Sequence, residues 1–428
     1  ISVLGTTKNI NRIIDKHKID EVMLLSQTFL GSEVAELQKQ CAAAGCTATI
    51  IPAIHTLISG KVHMQPRPID IADLLGRQAV NTDTDGLTRW LCNKTIMVTG
   101  ASGSIGSELC RQLIKHGPEQ LIVLDRSETG LFWVERELND AHSSTTIVPS
   151  VTDITDADRV AHVFAEHRPD IIFHAAAYKH VPLIEKNPFS AIKNNFLDTL
   201  EFMKLGIKYK VSNFCLISSD KAVRPTNIMG ASKRLSELAL CYLNNLNSHN
   251  TNLCSVRFGN VIDSSGSVKP LFQYQIDNNL PLTLTHEKII RYFMTIEEAT
   301  NLVLNTTKIS KGGEIFLLDM GEPIKLYDLA CRMIQFSGKT IKKNGSGDIE
   351  IKIIGLRDGE KLFEELLIDK MSVRSSIKSI YQSLERKINK KEFNDLHSKI
   401  YDSYKINNTM ILKKLLRTSF INYDPNDK

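Results

Sequence analysis

The sequence predicts an α/β protein whose main domain is a doubly wound parallel sheet, with a smaller C-terminal lobe and a small α/β domain in front. Apolar strands alternate with amphipathic helices over most of the chain. One of these strands, at residues 94–99, leads into a glycine-rich turn and then an amphipathic helix. The length of 428 residues exceeds what one hydrophobic core usually supports, so more than one domain is expected.

The same pattern divides the chain into four parts. The predicted parts are a small α/β domain at 1–65, a linker at 66–92, a main domain at 93–370 with a lobe drawn mainly from 262–295 and 345–370, and a basic helical tail at 371–428. The first part has no phosphate-binding loop, so no chemistry is assigned to it. The linker has few strand or helix signals.

The formal net charge of +5 is concentrated at the C-terminus. From Met371 to Lys428 there are 12 Lys and Arg against 6 Asp and Glu, so the first 370 residues sum to −1. A charge run usually forms a solvated face, and we interpret the tail as a solvated helical segment. The alternative is a surface that contacts anionic lipid or a partner. No aromatic residues interleave these lysines as in nucleic-acid sites, so no nucleic-acid partner is predicted.

The cysteine pattern and the hydropathy exclude several classes of protein. The eight cysteines are scattered without metal-ligand spacing, which indicates reduced thiols and predicts no metal site. No stretch reaches the roughly 18 apolar residues of a membrane-spanning helix, and there is no signal peptide. Since the chain begins at Ile1 and not at Met, we interpret it as a fragment.

The glycine-rich turn, "TGASGSIGSE", predicts a dinucleotide site of the Rossmann type. Gly100, Gly103 and Gly106 lie between a strand and a helix. Glycines at this place let the backbone approach a pyrophosphate, whose charge then lies at the helix N-terminus. The other candidate cofactor ligands of the turn are Ser102, Ser104 and Ile105.

The ends of the following strands supply further candidate cofactor ligands. Asp125 follows the first glycine by about 25 residues, where a carboxylate binds the adenosine ribose hydroxyls and favours NAD over NADP. Arg126 leaves NADP open as the less favoured cofactor, since an Arg can bind the 2′-phosphate. The remaining candidates are Asp153 and Ile154 for adenine, Ala175, Ala176 and Ala177 beneath the dinucleotide, and Asn195 for a water near the nicotinamide. For the alanines, tight helix–sheet packing is the alternative.

A second informative stretch is "SSDKAVRPTNIMGASK" at 218–233. It resembles the catalytic strip of the short-chain dehydrogenases/reductases, with Met229 where the acid/base Tyr usually stands. Together with "HAAAYKHVPLIEKNP", "VRFGNVIDSSGSV" and "GLRDGEKLFEEL", it resembles the nucleotide-sugar 4,6-dehydratases of bacterial polysaccharide and glycan biosynthesis over residues 65–370. The specific part is the strip, which is similar to the large subgroup with Met in place of Tyr.

The resemblance implies a function and a location. It implies a lyase that uses NAD to dehydrate UDP-N-acetylglucosamine to a 4-keto-6-deoxy sugar with retention at C5, the D-xylo product. Members of the subgroup carry membrane helices before a domain similar to residues 1–88, which implies attachment to the cytoplasmic face of the bacterial inner membrane through a segment absent from this chain. A homo-oligomer is also expected. Asp198 and Asp263 stand where the family has Gly, and Asp358 where it has Pro, which affects the predicted loop geometry.

Dehydration needs an acid for the 6-hydroxyl and a base for the C5 proton. Asp220 is expected to accept the 4-hydroxyl proton, directly or through water held by Ser219, and to protonate the 6-hydroxyl. Lys221 is expected to take the C5 proton, which requires its pKa to fall from about 10.4 to roughly 7–8. Lys233 is expected to bind the nicotinamide ribose, and Met229 to line the site without exchanging protons. A solvated surface turn is the alternative for the Asp220–Lys221 pair.

The resemblance also implies a substrate site. Its expected residues are Asn260 and Arg291 for the pyrophosphate, Arg357 and Glu360 for the uridine ribose or a phosphate, and Lys179 and His180 for the sugar. Three other functions remain open: a UDP-sugar 4-epimerase, a C5-inverting dehydratase, and a catalytically inactive nucleotide-binding regulator. An epimerase needs no acid/base pair for C5 and C6. An inactive regulator has no need for the four polar residues of the 218–233 stretch, which are Ser219, Asp220, Lys221 and Lys233.

Overall fold

The structure is a computed structural model. It describes residues 2–25, 31–51, 67–68, 83–141, 144–246, 249–342, 345–365, 372–384, 388–418 and 420–425. The chain divides into two compact units, Ile1–Ala79 and Val80–Lys428. This boundary falls inside the predicted linker, and every candidate site residue belongs to the second unit.

The first unit contains a small sheet with helices. Its elements are a 3-10 turn at Thr7–Asn9, α1 Ile10–His17, β1 Glu21–Leu25, α2 Gly31–Ala43, β2 Thr47–Ile51 and β3 Arg67–Pro68. β1 and β2 pair in parallel, and β3 pairs with β2 in the antiparallel sense. Ile14, Cys41 and Cys46 are buried together in its core, both cysteines as free thiols. The α/β character predicted for the first 65 residues is therefore present in the part that is described.

The second unit is built on a nine-stranded sheet. Its strands and those of the smaller sheets are β4 Thr95–Thr99, β5 Gln120–Asp125, β6 Thr146–Val151, β7 Ile171–His174, β8 Asn213–Ile217, β9 Asn252–Arg257, β10 Asn260–Val261, β11 Leu282–Leu284, β12 Ile290–Met294, β13 Ile315–Leu318, β14 Pro323–Lys325, β15 Ile351–Ile353, β16 Ser372–Arg374 and β17 Ile380–Ser383. The order in the large sheet is β16-β17-β13-β9-β8-β7-β4-β5-β6, and the strands from β13 to β6 run parallel. The chain enters the sheet at β4, adds β5 and β6 on one side, and then returns to add β7 on the other side of β4. This strand order confirms the predicted doubly wound sheet. Its switch point lies between β4 and β7, where ligands bind in such sheets.

Helices cover both faces of this sheet, which is why its strands are apolar throughout. Along β5, Leu121 and Val123 join one core cluster while Ile122 and Leu124 join the other. Successive side chains of a strand point to opposite faces, so a strand covered on both sides must be apolar at every position. The sequence "QLIVLD" satisfies this requirement up to its last residue, Asp125, which reaches the edge where the candidate site lies.

Seven helices of the second unit begin at a residue whose side chain caps the first turn, out of thirteen α-helices that the structure describes there. The thirteen are α3 Thr84–Leu91, α4 Ser104–Ile114, α5 Glu128–Asp140, α6 Ala157–His167, α7 Val181–Lys186, α8 Pro188–Ala191, α9 Thr199–Lys208, α10 Ile228–Asn245, α11 Val268–Asp277, α12 Ile296–Ile309, α13 Leu326–Phe336, α14 Lys390–Lys405 and α15 Thr409–Leu416, with a π-helix at Ile192–Asp198 and a 3-10 turn at Asp220–Ala222. The side chain of Asn227, for example, accepts the backbone N–H of Gly230 at 2.8 Å. Such caps satisfy amide groups that have no partner within the helix.

The predicted linker differs from the structure at its C-terminal end. Residues 84–91 form α3, which is capped by Asp83 and buries Leu87 and Leu91 in the core. Leu87 and Leu91 are the two large apolar residues of α3 that are fully buried. The apolar repeat of this eight-residue helix is therefore too short to be recognised in the sequence. Residues 69–82 lie outside the described residues.

The interpretation of the tail as a solvated segment is wrong. Two short strands, β16 and β17, extend the main sheet in the antiparallel sense. The helices α14 and α15 then pack on the unit, and their apolar residues belong to one of its two core clusters: Phe393, Leu396, Ile400, Leu412 and Leu416. The lysines lie between these positions, so the basic excess reflects the outer face of helices whose inner face is core.

The C-terminal lobe contains two small sheets. β12 pairs with β10 and β14, and β11 pairs in parallel with β15. The helices α11 and α13 pack beside β11. Among the described residues, no helix combines the length and the apolar character needed to cross a bilayer. The expected membrane segment would lie outside this sequence, and it stays a prediction, as does the homo-oligomer.

Candidate active site

The glycine-rich turn is tightly packed at the carboxyl end of β4. Gly100 has a φ of +65°, and a Cβ there would lie 2.7 Å from the backbone nitrogen of Ala176. A Cβ on Gly106 would lie 2.0 Å from the carbonyl oxygen of Gly100. Gly103 is the N-cap of α4, and Ile105 is half-buried against the core. The close contacts require glycine at two of the three predicted positions, and they hold the α4 N-terminus beside the switch point.

Asp125 organises the end of β5. One of its carboxylate oxygens accepts the backbone N–H and the hydroxyl of Ser102, at 3.0 and 2.7 Å. The other accepts the N–H of Ser127 at 2.9 Å. The neighbouring Arg126 lies over the Tyr178 ring at 4.8 Å and 3.9 Å from Asp153. The predicted cofactor residues of the first two strand ends are thus adjacent in space, and Arg126 already has an aromatic and an acidic partner.

The other predicted cofactor residues differ in accessibility. Ala175, Ala176 and Ala177 are half-buried directly after β7, at the edge that contains the glycine turn. Ile154 is 6% exposed and belongs to the core cluster, whereas Asp153 is half-buried. Ser104 extends towards the C-terminal lobe, where its hydroxyl accepts the N–H of Ser265 at 3.0 Å.

Asn195 does not have the free amide that was expected of it. The residue is 1% exposed, within the π-helix. Its Nδ2 donates to the carbonyl of Tyr178 at 3.0 Å and to the hydroxyl of Ser232 at 2.9 Å, and its Oδ1 accepts from the N–H of Tyr178 at 2.9 Å. The side chain therefore joins the segment after β7 to α10. It positions the site and has no donor left for a water.

Asp220 and Lys221 follow β8 in a 3-10 turn beside the neighbouring strand. The N–H of Asp220 donates to the carbonyl of Phe258 at 3.1 Å, which fixes the turn against the end of β9. The Ser219 hydroxyl donates to Oδ1 of Asp220 at 2.8 Å, and Lys221 Nζ donates to the same oxygen at 3.0 Å. The alternative of a solvated surface turn is wrong, because the side chain of Asp220 is 5% exposed.

The second oxygen of Asp220 is buried without a hydrogen-bond partner among the residues that the structure describes. Burial raises the pKa of this carboxyl, but Lys221, Ser219 and Arg291 outweigh it, so that the net shift is downward. Asp220 is therefore ionised, with one oxygen hydrogen-bonded and one without a donor among the described residues. A buried carboxylate oxygen without a donor is costly unless a ligand completes it.

The expectation that the pKa of Lys221 is lowered is wrong. Burial lowers its pKa, but the charges of Asp220 and Glu364 outweigh burial, and the net shift is upward. Nζ of Lys221 lies 2.8 Å from Oε1 of Glu364 and 3.4 Å from Oδ1 of Asn260. The ammonium thus has three acceptors, two of them charged.

Sequence reasoning missed Glu364. Its side chain is 5% exposed, and it lies 143 residues after Lys221 in the C-terminal lobe. The stretch "GEKLFEEL" contains three glutamates, and nothing in their spacing indicates which of them reaches Lys221. The signal that was available is the resemblance of the stretch to a family motif.

Lys233 and Met229 lie in the first turns of α10. Burial lowers the pKa of Lys233 to about 8, and its Nζ donates to the carbonyl of Ile217 at 2.8 Å. Met229 is 4% exposed, belongs to the core cluster, and does not line the cavity described below. The predicted site-lining role of Met229 is therefore not seen in this cavity.

A cavity of about 280 Å³ lies between the strip and the C-terminal lobe. The predicted residues that line it are Lys179, His180, Asp220, Lys221, Asn260, Arg291, Arg357 and Glu360, together with Glu364. The His180 ring lies against Gly266, which has a φ of +68° and whose Cβ would be 2.6 Å from Cε1 of the ring. The cavity brings together all six predicted substrate residues with two of the five predicted catalytic residues, Asp220 and Lys221, whereas Ser219, Met229 and Lys233 do not line it.

The cationic side chains that border the cavity differ in whether they already have acidic or carbonyl partners within the protein. Arg291 is 9% exposed and donates to the carbonyls of Ile290, Lys361 and Leu362 at 2.7, 2.9 and 3.4 Å. Its guanidinium also contacts Glu360 at 3.3 Å and Glu364 at 3.2 Å. Each nitrogen of the Arg291 guanidinium thus contacts an acceptor, and the side chain holds the 360–364 segment in place. Lys179 and Arg357, in contrast, form no ion pair with any residue within the described ranges.

Two of the departures from the family pattern are accommodated by local structure. Asp263 takes a φ of +62°, the left-handed region that favours Gly, and its carboxylate pairs with Lys269 at 2.8 Å. Asp358 occupies the second position of a turn in which the N–H of Glu360 donates to the carbonyl of Arg357 at 3.1 Å, followed by Gly359 at φ +74°. A turn of this type accepts Pro or other residues at that position.

The comparisons with known proteins find relatives that are named for polysaccharide biosynthesis or for sugar epimerisation. A family model described as "Polysaccharide biosynthesis protein" matches residues 96–385. The capsular polysaccharide biosynthesis protein CapD of Staphylococcus aureus is 42% identical over 86% of this chain, and the probable polysaccharide biosynthesis protein EpsC of Bacillus subtilis is 38% identical over 86%. The chain spans 61% and 60% of the lengths of these two relatives. A UDP-glucose 4-epimerase of Rickettsia canadensis is 34% identical over 64% of the chain and 78% of the relative.

Solved structures share the fold. Pen from Bacillus thuringiensis superposes with a TM-score of 0.62 at 34% identity, covering 70% of this chain and 90% of that one. A double mutant of DesIV from Streptomyces venezuelae, a dTDP-glucose 4,6-dehydratase with NAD and DAU bound, superposes with a TM-score of 0.54 at 21% identity, covering 63% and 87%. The second likeness supports the fold alone.

Proposed function

This chain belongs to the polysaccharide biosynthesis protein family, and on that premise we propose that it removes water from UDP-N-acetylglucosamine to form UDP-2-acetamido-2,6-dideoxy-4-keto-hexose. The observation that carries the proposal is the ion pair between the buried Asp220 and the half-buried Lys221, just after the end of β8. Dehydration needs both an acid for the 6-hydroxyl and a base for the C5 proton, and these two groups lie side by side in one cavity.

The turn after β4 fits a dinucleotide. A Cβ at Gly100 would collide with the backbone of Ala176, so only glycine lets the turn lie this close to the sheet edge, and the α4 N-terminus supplies backbone N–H groups and a positive dipole end for a pyrophosphate. Asp125 would hold the adenosine ribose. We favour NAD over NADP because Arg126, the candidate for a 2′-phosphate, is engaged with Tyr178 and Asp153. NAD supplies, when bound, an acceptor and later a donor of hydride, so no external oxidant is consumed.

Asp220 carries the oxygen-bound protons in this proposal. It is ionised, so it can accept the 4-hydroxyl proton, directly or through water held by Ser219. Its unpartnered Oδ2 is the atom available for that proton. The same carboxyl then protonates the departing 6-hydroxyl, which leaves as water. One carboxylate thereby replaces the missing Tyr.

Lys221 takes the proton from C5, which is acidic once C4 is a ketone. The amine must be neutral to do so, whereas the charges of Asp220 and Glu364 raise its pKa and favour the ammonium. Lys233 would bind the nicotinamide ribose, and its pKa of about 8 keeps it largely charged at neutral pH. The proton transfers of the proposed reaction are thus divided between two adjacent side chains of the strip.

The nucleotide diphosphate needs cations that the protein has not already neutralised. Lys179 and Arg357 border the cavity without an ion pair among the described residues. Arg suits bidentate binding of a phosphate, and Lys contributes a point charge. We therefore propose these two as the phosphate ligands and move Arg291 to a supporting role, with Asn260 beside the sugar.

The test is to incubate the chain with UDP-N-acetylglucosamine and to analyse the product by mass spectrometry and NMR. We expect a product lighter by one water, a 4-keto-6-deoxy sugar of D-xylo configuration at C5. A C5-inverted product would support the inverting dehydratase instead. The 34% identity to the Rickettsia protein favours the 4-epimerase as the second candidate, and it would give a product of unchanged mass. Unaltered substrate with NAD and UDP both bound would support the regulator.

A further inference from the structure

Glu364 is a buried carboxylate to which the reaction proposed above assigns no part. Its Oε1 accepts from Lys221 Nζ at 2.8 Å and lies 3.2 Å from Nε of Arg291. Its Oε2 accepts from Nδ2 of Asn260 at 3.1 Å. The side chain is 5% exposed, so little water reaches it. Arg291 of β12 and Asn260 of β10 therefore hold this one carboxylate against the amine of Lys221.

The proposed reaction leaves Lys221 with a proton to lose. A lysine base must be neutral before it takes a proton from carbon, and here two carboxylates stabilise the ammonium. Loss of the proton to solvent would leave the carboxylates of Asp220 and Glu364 with only Arg291 to balance them. An internal acceptor avoids this imbalance, because a proton that moves within a hydrogen bond leaves the net charge of the cluster unchanged.

We propose that Glu364 is this acceptor and that Lys221 and Glu364 form a two-residue base for C5, an inference that rests on the proposed dehydration. A proton moves from Lys221 Nζ to the Glu364 carboxylate, which produces a neutral amine and a neutral carboxylic acid. The amine then takes the C5 proton of the 4-keto sugar and becomes an ammonium again, while the electron pair of the C–H bond enters the enolate. When C5 is reprotonated, the Lys221 ammonium returns that proton, and Glu364 returns its proton to the amine.

Geometry favours Glu364 over Asp220 as the acceptor. Nζ of Lys221 lies 2.8 Å from Oε1 of Glu364 and 3.0 Å from Oδ1 of Asp220, and the other oxygen of Asp220 is assigned to the sugar hydroxyls. The pKa directions agree, since burial and the charge of Asp220 raise the pKa of Glu364, whereas that of Asp220 is lowered. The charged groups that face the Lys221–Glu364 pair are Asp220 from the turn after β8 and Arg291 from β12.

The decisive variant is Glu364→Gln, which preserves the shape of the side chain but accepts no proton. We expect kcat to fall by about 10²–10⁴-fold at neutral pH while UDP still binds. Exchange of the C5 hydrogen with deuterated solvent, followed by NMR, should fall in parallel. The pH profile separates this role from a structural one: in the variant Lys221 must lose its proton to solvent, so kcat should rise by about tenfold per pH unit below the pKa of Lys221. A structural defect would lower kcat equally at every pH.

Two further variants control this experiment. Glu365→Gln makes the same chemical change in the adjacent residue, whose carboxylate pairs with Arg224 and Lys361 instead, and it should retain the activity of the wild-type chain. Glu364→Asp keeps an acidic group and should retain more turnover than Glu364→Gln, even if the Gln variant folds poorly.

Each other outcome overturns the inference. If Glu364 only held Lys221 charged, its removal would lower the pKa of Lys221, and Glu364→Gln would be as active as the wild-type chain or more so at neutral pH. Equal losses in Glu364→Asp and Glu364→Gln, with an unchanged pH profile, would indicate a structural role. No water loss by the wild-type chain overturns the proposed function and this inference together, whereas water loss that is unchanged in Glu364→Gln overturns only the role of Glu364.

Discussion

Asp220 is the single residue on which the proposed chemistry depends most directly. It is 8% exposed, and one of its carboxylate oxygens has no donor among the described residues. The neighbouring cations keep it ionised despite burial. A carboxylate in this state can accept a proton and then donate it, the two functions that a Tyr and a separate acid would otherwise share. Met229 occupies the place of that Tyr and is packed in the core.

Replacement of Asp220 by Asn should abolish turnover and leave ligand binding nearly intact. The amide keeps the shape and can still accept from Ser219 and Lys221, but it can neither take nor give the sugar protons. Loss of a general acid/base typically costs about 10²–10⁴-fold in rate, which a product assay by mass spectrometry measures directly.

The matched control for this change is Met229→Leu. A swap that conserves volume in a core usually costs less than about 1.5 kcal/mol, so the variant should fold and retain most of its turnover. If Met229→Leu were as inactive as Asp220→Asn while still binding UDP and NAD, the assignment of the protons to Asp220 would be wrong.

Among the secondary-structure elements, the two helices of the tail, α14 and α15, connect the 218–233 stretch to the core. Phe393 of α14 stacks on Tyr242 of α10 with ring centroids 4.2 Å apart, and α10 carries Lys233. Beyond α15, the N–H of Asp424 donates to the carbonyl of Pro225 at 3.0 Å. The carbonyl of Phe420 accepts from Nε of Arg234 at 3.2 Å. The tail thus contacts the segment that joins the Asp220–Ala222 turn to α10, as well as α10 itself.

Replacement of Phe393 by Ala should destabilise the protein strongly. The ring is 2% exposed, and truncation of a buried Phe costs about 3–5 kcal/mol, because it removes apolar burial and leaves a cavity. Urea unfolding followed by circular dichroism measures the change. Lys399→Ala on the same helix is the control: its ion pair with Asp395 is exposed, so the change should stay within about 0.5 kcal/mol. Similar stabilities of the two variants would mean that the tail is not part of the core.

The pH dependence of stability is a property of the whole molecule, and one buried group contributes to it with a known sign. His174 is 0% exposed at the end of β7, and its ring nitrogens pair with the hydroxyls of Thr99 and Thr199 at 2.8 and 3.1 Å. Burial, together with the charge of Lys233, lowers its pKa to about 3. In the unfolded chain, His174 therefore binds a proton below about pH 6.5, whereas in the folded protein it stays neutral until the pH approaches 3.

The contribution of His174 is therefore fully present above about pH 6.5 and is lost as the pH falls towards 3, by about 1.4 kcal/mol per pH unit. His174→Gln should be less stable than the wild-type chain at neutral pH, because Gln fits the two hydroxyls less well, but its stability should fall less steeply between about pH 6 and pH 4.5. Urea titrations at several pH values measure the slope. His162→Gln, at a mostly exposed position, should leave the slope unchanged, and an unchanged slope in His174→Gln would contradict the buried neutral state.

At the scale of the whole molecule, the sequence by itself determined the doubly wound sheet and the positions of its ligand-binding turns. These depend on local signals: apolar runs for buried strands, glycines at Gly100 and Gly106 where a Cβ would collide with backbone, and polar residues at strand ends such as Asp125 and Asp220. Each signal is a pattern over a few adjacent residues, so the sequence contains it in full. The resemblance of these stretches to one family then indicated the chemistry.

Only the tertiary structure decided the ion pairs of Lys221, the position of Glu364 beside it and the burial of the tail. The Lys221–Glu364 contact spans 143 residues of chain, and the energy of two charges depends on their distance in space and on the exclusion of water around them. The lysine-rich tail is core on its inner face for the same reason: burial depends on which surface a helix meets. Composition and spacing specify neither the distances nor the dielectric environment, and these quantities decide whether a lysine beside an aspartate is a base, an ion pair or a solvated charge.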